Sequence, residues 1–439
     1  MQLILSLAIL VVFFWLTFRL AKIVSNFDIN KAMDGQRPKG LEETEFMRYL
    51  SVYTDMFRTL NIRSLASVST DLFYHSTENL IRLLTRLGLR REVSVQTGSN
   101  ISEITDMNVI GKVAWITQEI GCGYRERLID SVSGQMLEEK HYPISKFVIS
   151  LNKNPLRQQS DPTYCTGCGS ELHTNGEIFI CNNCGATYHS DSYDWVINNA
   201  YAVPPPLQNP ITLMSGVMGL FIFAAPIVSL ISLFASGLLT VASVLNIVAF
   251  IGTIGYFVFA FWYYGALLKL QKHDKLCSMF RVMNRAEFLL YQFINCRGDN
   301  PARMRQFMDT GAYESWMRAD SMQSGCHIVD YQLSNVCLFT DFHVANGRQH
   351  LRAKLPLTLC VFDERSRRLI KIKRTVNMVM YRNQNTRYQN HLSSEVFVCK
   401  GCGMPVNMTS DGKCRFCGTR YDLADYDWII EWMDNSLYI

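Results

Sequence analysis

The spacing of apolar side chains changes several times along the chain, and each change marks an element. Residues 1–18 carry no charge and are rich in Leu, Ile, Val and Phe, and the first positive charges, Arg19 and Lys22, come after the run. A polar linker with Pro38 follows. Phe46, Tyr49, Leu50, Tyr53, Phe57 and Leu60 then recur at three- and four-residue steps, which predicts a helix opening near Leu41. A second helical pattern covers 64–87 and stops at Gly88. From 101 to 151 the pattern becomes strand-like, in the runs 113–117, 124–129 and 147–151, and Ser131 to Gly134 supplies a hairpin turn. Residues 195–268 contain no charged side chain. That length suits two membrane spans, 211–234 and 238–267, better than one. The helix-then-strand order then repeats. Residues 280–294 read as helix, and Asn300-Pro301 as the N-cap and first position of the next one. Strands follow from 327 to 381, with 363–367 as the hairpin turn.

One cysteine pattern also occurs twice. Cys165/Cys168 with Cys181/Cys184, and Cys399/Cys402 with Cys414/Cys417, form pairs of Cys-x-x-Cys-Gly knuckles, separated by twelve residues in the first copy and eleven in the second. Two short turns of this kind present four thiolates at tetrahedral geometry, the donor set of structural zinc. Gly169, Gly185, Gly403 and Gly418 follow the second cysteine of each knuckle, where a side chain at positive φ would be strained. Each copy runs on to Tyr-Asp-Trp (Tyr193, Asp194, Trp195; Tyr426, Asp427, Trp428), and the separation from Asp130 to Trp195 equals that from Asp363 to Trp428. The tryptophans are expected to open a helix that packs each ribbon back on its own domain. The expectation is a duplication with two Zn2+ ions. Its parts are an anchor at 1–24, a linker at 25–40, a first α+β domain at 41–160 and a first zinc ribbon at 161–199. A transmembrane hairpin at 200–270, a second α+β domain at 275–395 and a second ribbon at 396–439 complete it.

The order of helices, meander, CxxCG…GKCxxCG and YDW behind an apolar N-terminus resembles a group of bacterial membrane-anchored proteins. These join a zinc ribbon to a domain similar to the mitochondrial import translocase subunit forty-four. The resemblance is carried by Cys399–Gly403, Gly412–Gly418 and Tyr426–Ile430, and in the first unit by Cys165–Gly169, Cys181–Gly185 and Tyr193–Ile197. It covers 41–199 and 277–432 and leaves out the hairpin. It implies the cone of nuclear transport factor two, a curved antiparallel sheet wrapped on helices around an apolar pocket. It also implies a scaffold that binds membrane lipid and protein partners. The chain departs from the pattern in having two units and an internal hairpin.

Composition narrows the chemistry. Charged residues make up 18% of the chain, below the ~25% of soluble domains. Lys269, Lys272 and Lys275 follow the hairpin, so that end is expected inside the cell, with both α+β units facing the cytoplasm of a multi-pass inner-membrane protein. Unpaired thiols (Cys122, Cys277, Cys296, Cys326, Cys337, Cys360) agree with a reducing compartment. Nucleic acid is excluded by the ribbons' charge. The first has four acidic residues and no Lys or Arg, and the second has four basic against five acidic. Four-thiolate sites leave no open position for metal-hydroxide catalysis. The densest basic cluster, Arg365, Arg367, Arg368, Lys371, Lys373 and Arg374, fits a solvated strand edge or a contact with anionic lipid headgroups. Asp341 and His343 fall on one strand face without a convergent nucleophile, and the spans hold no ionisable group, as an anchor requires. The function expected is a non-enzymatic scaffold or adaptor that binds a protein, peptide or lipid. The alternatives are a hydrolase or isomerase with a pocket in one cone, or a zinc- or redox-responsive sensor.

Overall fold

The computed structural model describes residues 43–66, 68–98, 103–110, 113–153, 195–203, 239–274, 279–295, 301–320, 325–333, 337–386, 396–402 and 417–434, with shorter pieces between them. Most of 1–40 and of 204–238 lies outside the described residues, and with them the expected first span of the hairpin. The first amphipathic pattern becomes α1 (Glu43–Thr59), which buries Phe46, Leu50, Met56 and Phe57 along one face. The second pattern is split into α2 (Arg63–Ala66) and α3 (Asp71–Arg86). The reason is local. Val68 and Thr70 give their backbone groups to Ile197, and the Thr70 hydroxyl caps α3 by accepting from the Phe73 N–H at 3.4 Å. At the far end the chain leaves α3 through Gly88, at φ +67°.

Five antiparallel strands follow: β1 (Leu89–Thr97), β2 (Glu103–Ile110), β3 (Val113–Asp130), β4 (Met136–Lys153) and, beyond the short ribbon strands β5 (His173–Asn175), β6 (Ile178–Ile180) and β7 (Thr187–His189), β8 (Val196–Val203). The sheet order is β1-β3-β4-β8, with β2 beside β3. In β3 the buried face runs Ile116, Ile120, Tyr124 and Leu128 at the two-residue period of a strand. Glu126 and Asp130 lie on that same buried face.

The second half begins with α4 (Leu239–His273), α5 (Met279–Asn295), a 3-10 turn (Pro301–Gln306) where a regular helix was expected, and α6 (Thr310–Asp320). Its strands are β9 (Cys326–Leu333), β10 (Leu338–Ala345), β11 (Arg348–Asp363), β12 (Arg368–Asn383), the ribbon strands β13 (Val396–Val398) and β14 (Pro405–Asn407), and β15 (Ile429–Met433). The order is β10-β11-β12-β15, with β9 beside β11.

The two sheets therefore pair alike, strand for strand. Even an isolated parallel bridge recurs, Ser69 with Ile197 and Met308 with Ile430, clamped by N–H bonds of 2.7–2.9 Å. The segments after Trp195 and Trp428 are thus strands, correcting the expected helix. Both lie at a sheet edge, where pairing with β4 or β12 satisfies their amides. It follows that each ribbon is inserted between the fourth and fifth strands of a sheet, and its last residues belong to that sheet.

The halves pack on each other. Val329, Cys360 and Phe362 from the second complete the apolar core of the first. α3 meets α5 through Ser76 to Gln292 (2.9 Å) and Asn79 to the Asn295 carbonyl (3.1 Å). α4 changes character along its length. Val241, Val244, Ile247, Ile251, Ile254, Val258 and Trp262 are exposed, whereas Tyr263, Leu267 and Leu270 are buried, with the Tyr263 hydroxyl on the Cys337 carbonyl at 3.0 Å. Phe13 of the N-terminal run packs on Tyr256 and Phe257, with ring centroids 5.9 and 6.0 Å away. Among the described residues no single helix is long and apolar enough to cross a membrane. The pair Ser243–Phe259 and Phe261–His273, bent by 43°, passes by length and composition.

Candidate metal centres and the cavity between the halves

The second ribbon brings the Sγ atoms of Cys399, Cys402, Cys414 and Cys417 within 4.8 Å of one another. Cys399 and Cys417 are 3.7 Å apart, as are Cys402 and Cys414. Four sulfurs about 2.3 Å from a tetrahedral zinc stand about 3.8 Å apart, so the set fits a zinc ion without rearrangement. The turn beneath it is tight. Gly418 has φ +72°, its N–H donates to the Cys414 carbonyl (2.8 Å), and the Cys414 N–H donates to the Thr419 carbonyl (2.8 Å). A Cβ on Gly401 would lie 2.6 Å from the Thr419 hydroxyl, so this turn has no room for a side chain. Hydrogen bonding with the Thr419 side chain and backbone draws the Cys417 thiol down to about 6, toward the thiolate that a metal needs. The Gly401 N–H points at Cys399 Sγ (3.3 Å).

In the first ribbon Cys168, Cys181 and Cys184 meet the same 4.8 Å limit, with Cys168 and Cys181 3.1 Å apart. Cys165, together with Gly169, Gly185 and Gly403, lies outside the described residues. These two clusters are cysteine sites able to hold metal ions.

Tyr-Asp-Trp joins ribbon to sheet. The Tyr426 hydroxyl accepts from the Lys400 N–H (3.2 Å), and the Lys400 ammonium sits 4.9 Å from its ring centroid. One residue beyond Asp427, Trp428 is fully buried. Its carbonyl accepts two bonds from Arg285 (2.7 and 2.8 Å), and Arg382 lies 4.6 Å over its indole. Arg382 in turn pairs with Asp274 at the end of α4 (2.9 Å), both buried. In the first half the Trp195 carbonyl accepts from the Tyr49 hydroxyl at 2.6 Å.

Comparison with protein-family models and with characterised proteins returns no match for this chain.

Of the six basic residues of the β11–β12 hairpin, two are engaged within the protein. Arg367 donates to both Asp130 oxygens (2.6 and 3.0 Å) across the halves, and Lys371 pairs with Glu138 (2.7 Å). Arg365, Arg368, Lys373 and Arg374 are exposed. The bond from Arg367, acting against partial burial, holds the Asp130 carboxyl well below the usual range. Asp341 and His343 do meet, at 2.9 Å, on the surface. His343 stacks on His350 (5.0 Å), whose Nδ1 contacts Glu431 (2.8 Å).

A cavity of about 300 Å³ lies between the halves, lined by residues of both. At one end four charges meet. Arg91 lies 3.4 Å from both Glu126 and Asp330, Lys140 is 3.7 Å from Glu126 and pairs closely with Asp330, and the Tyr124 hydroxyl donates to Glu126 (2.6 Å). Burial works to raise the Glu126 carboxyl, but Lys140 and Arg91 outweigh it and hold the group ionised. The other wall carries Glu287 of α5, with Tyr53, Tyr201, Tyr291 and Tyr331 lining the same space. Burial alone lifts the Glu287 carboxyl to about 7. Sequence reasoning missed this cavity. Its one legible sign was Glu126 at an inward position of β3, between Tyr124 and Leu128.

Proposed function

We propose that the chain is a membrane-anchored, cytoplasm-facing scaffold in which one α+β unit, similar to that of nuclear transport factor two and the import translocase family, is duplicated. Its halves close over a ligand, and a structural zinc ion rigidifies each ribbon. The matched strand pairing, down to the recurring parallel bridge, supports the duplication. The observation that carries the membrane reading is the change along α4 at Trp262. Large apolar side chains face outward before it, while Tyr263 and the residues beyond dock on the second sheet. An exposed apolar surface of this kind marks a contact with a membrane or a partner, and the uncharged run of 195–268 favours the membrane. Phe261, Trp262, Tyr263 and Tyr264 stand at the changeover, where aromatic side chains favour a bilayer interface. Arg365, Arg368, Lys373 and Arg374 are the basic side chains left for anionic headgroups, each contributing about 1 kcal/mol near the surface.

A second reading, an enzyme of the hydrolase or isomerase kind, draws on Glu287, since a carboxyl near 7 suits proton transfer. It requires that a ligand recovered from the protein be chemically altered.

The test of the first reading is protease accessibility. In intact cells protease added outside leaves both units whole, and in inverted vesicles it cuts them. Digestion of either unit from outside contradicts the proposal.

A further inference from the structure

Charges along the inter-half cavity are balanced at one end and unbalanced at the other. Arg91 and Lys140 are matched by Glu126 and Asp330, so that end contributes no net charge. Glu287 has no counterpart. Burial is the sole influence on its carboxyl, and among the described residues no cation or hydrogen-bond donor reaches it. What surrounds it is aromatic. Tyr201 of β8 and Tyr331 of β9 are near enough to feel its charge, Tyr291 lies one turn further along α5, and Tyr53 faces in from α1. The remaining titratable groups along the cavity are Cys337, ahead of β10, and at the far end the balanced four with Tyr124 and Tyr142, both held neutral by burial. Burial raises Tyr53, Tyr201, Tyr331 and Cys337, so they stay neutral around neutral pH.

A lone carboxylate in a cavity lined by tyrosines is complementary to one kind of guest. We propose that this cavity binds a small organic cation, an ammonium with short apolar substituents, its charge set against Glu287 and its substituents against Tyr53, Tyr201, Tyr291 and Tyr331. The inference rests on the reading above, in which the halves close over a ligand. A volume of about 300 Å³ is at the small end for ligand sites, which favours a single ammonium centre over a peptide. The guest's positive charge supplies what the protein omits, and binding is therefore coupled to ionisation of Glu287.

The experiment is calorimetric titration of the full chain, in neutral detergent and amine-free buffer, with choline and with its uncharged isostere in which carbon replaces the ammonium nitrogen. Choline is expected to bind about tenfold more tightly at pH 8 than at pH 6, because the ionised fraction of Glu287 rises from roughly a tenth to nine tenths. The isostere binds at least about tenfold more weakly at pH 8. Glu287→Gln abolishes the pH dependence. Tyr331→Phe keeps the affinity while Tyr331→Leu lowers it about fivefold, which separates the ring face from the hydroxyl. Equal affinity for the two probes, no binding of choline, or an unchanged pH profile in Glu287→Gln overturns the proposal. Metal content and the protease map are read on the same preparations. Loss of cation binding with both intact rejects the cation alone, whereas an altered protease map rejects the scaffold reading beneath it.

Discussion

The two tryptophan joints do the same job with different chemistry. In the first half a neutral Tyr49 hydroxyl donates to the Trp195 carbonyl. In the second the Arg285 guanidinium donates twice to the Trp428 carbonyl, with Asp427 3.5 Å away and Arg382–Asp274 close behind. The backbone pattern is shared, so the geometry of the joint does not depend on charge. What differs is the load. The second joint sits where α4 arrives, and the buried Arg382–Asp274 pair ties the end of that helix to β12. The Tyr49 hydroxyl bonds the first joint, and charged side chains bond the second, where the end of α4 also docks.

The largest effect expected is on the ribbons themselves. Cys414→Ser should unfold the second ribbon and Cys181→Ser the first, each leaving the other whole, because structural zinc in small domains contributes on the order of 10 kcal/mol. Limited proteolysis reads this directly, with new cuts confined to 396–428 or to 161–195. Equal damage to both ribbons from either substitution would break the comparison.

Next come the joints. Arg285→Met takes both guanidinium donors from the Trp428 carbonyl and a counter-charge from Asp427 in a buried site, and should cost about 3–5 kcal/mol. Tyr49→Phe removes one neutral hydrogen bond and should cost about 1 kcal/mol. Denaturant melts of the two variants side by side sharpen the contrast, and equal losses would remove it.

The cavity adds a pH term. Glu287 has a folded pKa above its unfolded one, so the folded state holds the extra proton and loses stability as pH rises from about 4.5 to about 7, levelling off above. The total is about 3 kcal/mol, and Glu287→Gln should flatten the curve over that window.

The smallest effect lies at the hairpin. Asp130 is the opposite case, a carboxyl held low, whose contribution is present above the unfolded value and lost as pH falls through the folded one. Arg367→Ala should lower stability slightly near neutrality and not at all in strong acid.

Much of this architecture was legible because it repeats. The cysteine spacing named eight thiols, and the structure brings seven of them together, Cys165 lying outside the described residues; the period of two in β3 and β11 gave the sheets. Four features were hidden for a physical reason, namely that long-range pairing decides them. Val68 to Thr70 could have continued a helix, but the Val68 carbonyl and the Thr70 N–H bond to Ile197. Ile429 and Ile430 sit at a spacing open to helix or strand, and the free edge of β12 decided for strand. Arg367 and Lys371 looked like a uniform basic strip until Asp130 and Glu138 arrived from the other half. The cavity exists only once the halves meet, so no local pattern announces Glu287.

The account rests on two separate metal clamps inserted into equivalent sheets, and elemental analysis of the purified full chain tests it most directly. Two zinc ions per chain are expected, falling to one in either Cys181→Ser or Cys414→Ser. A wild-type chain with fewer than two, or a single substitution that empties both sites, would contradict it.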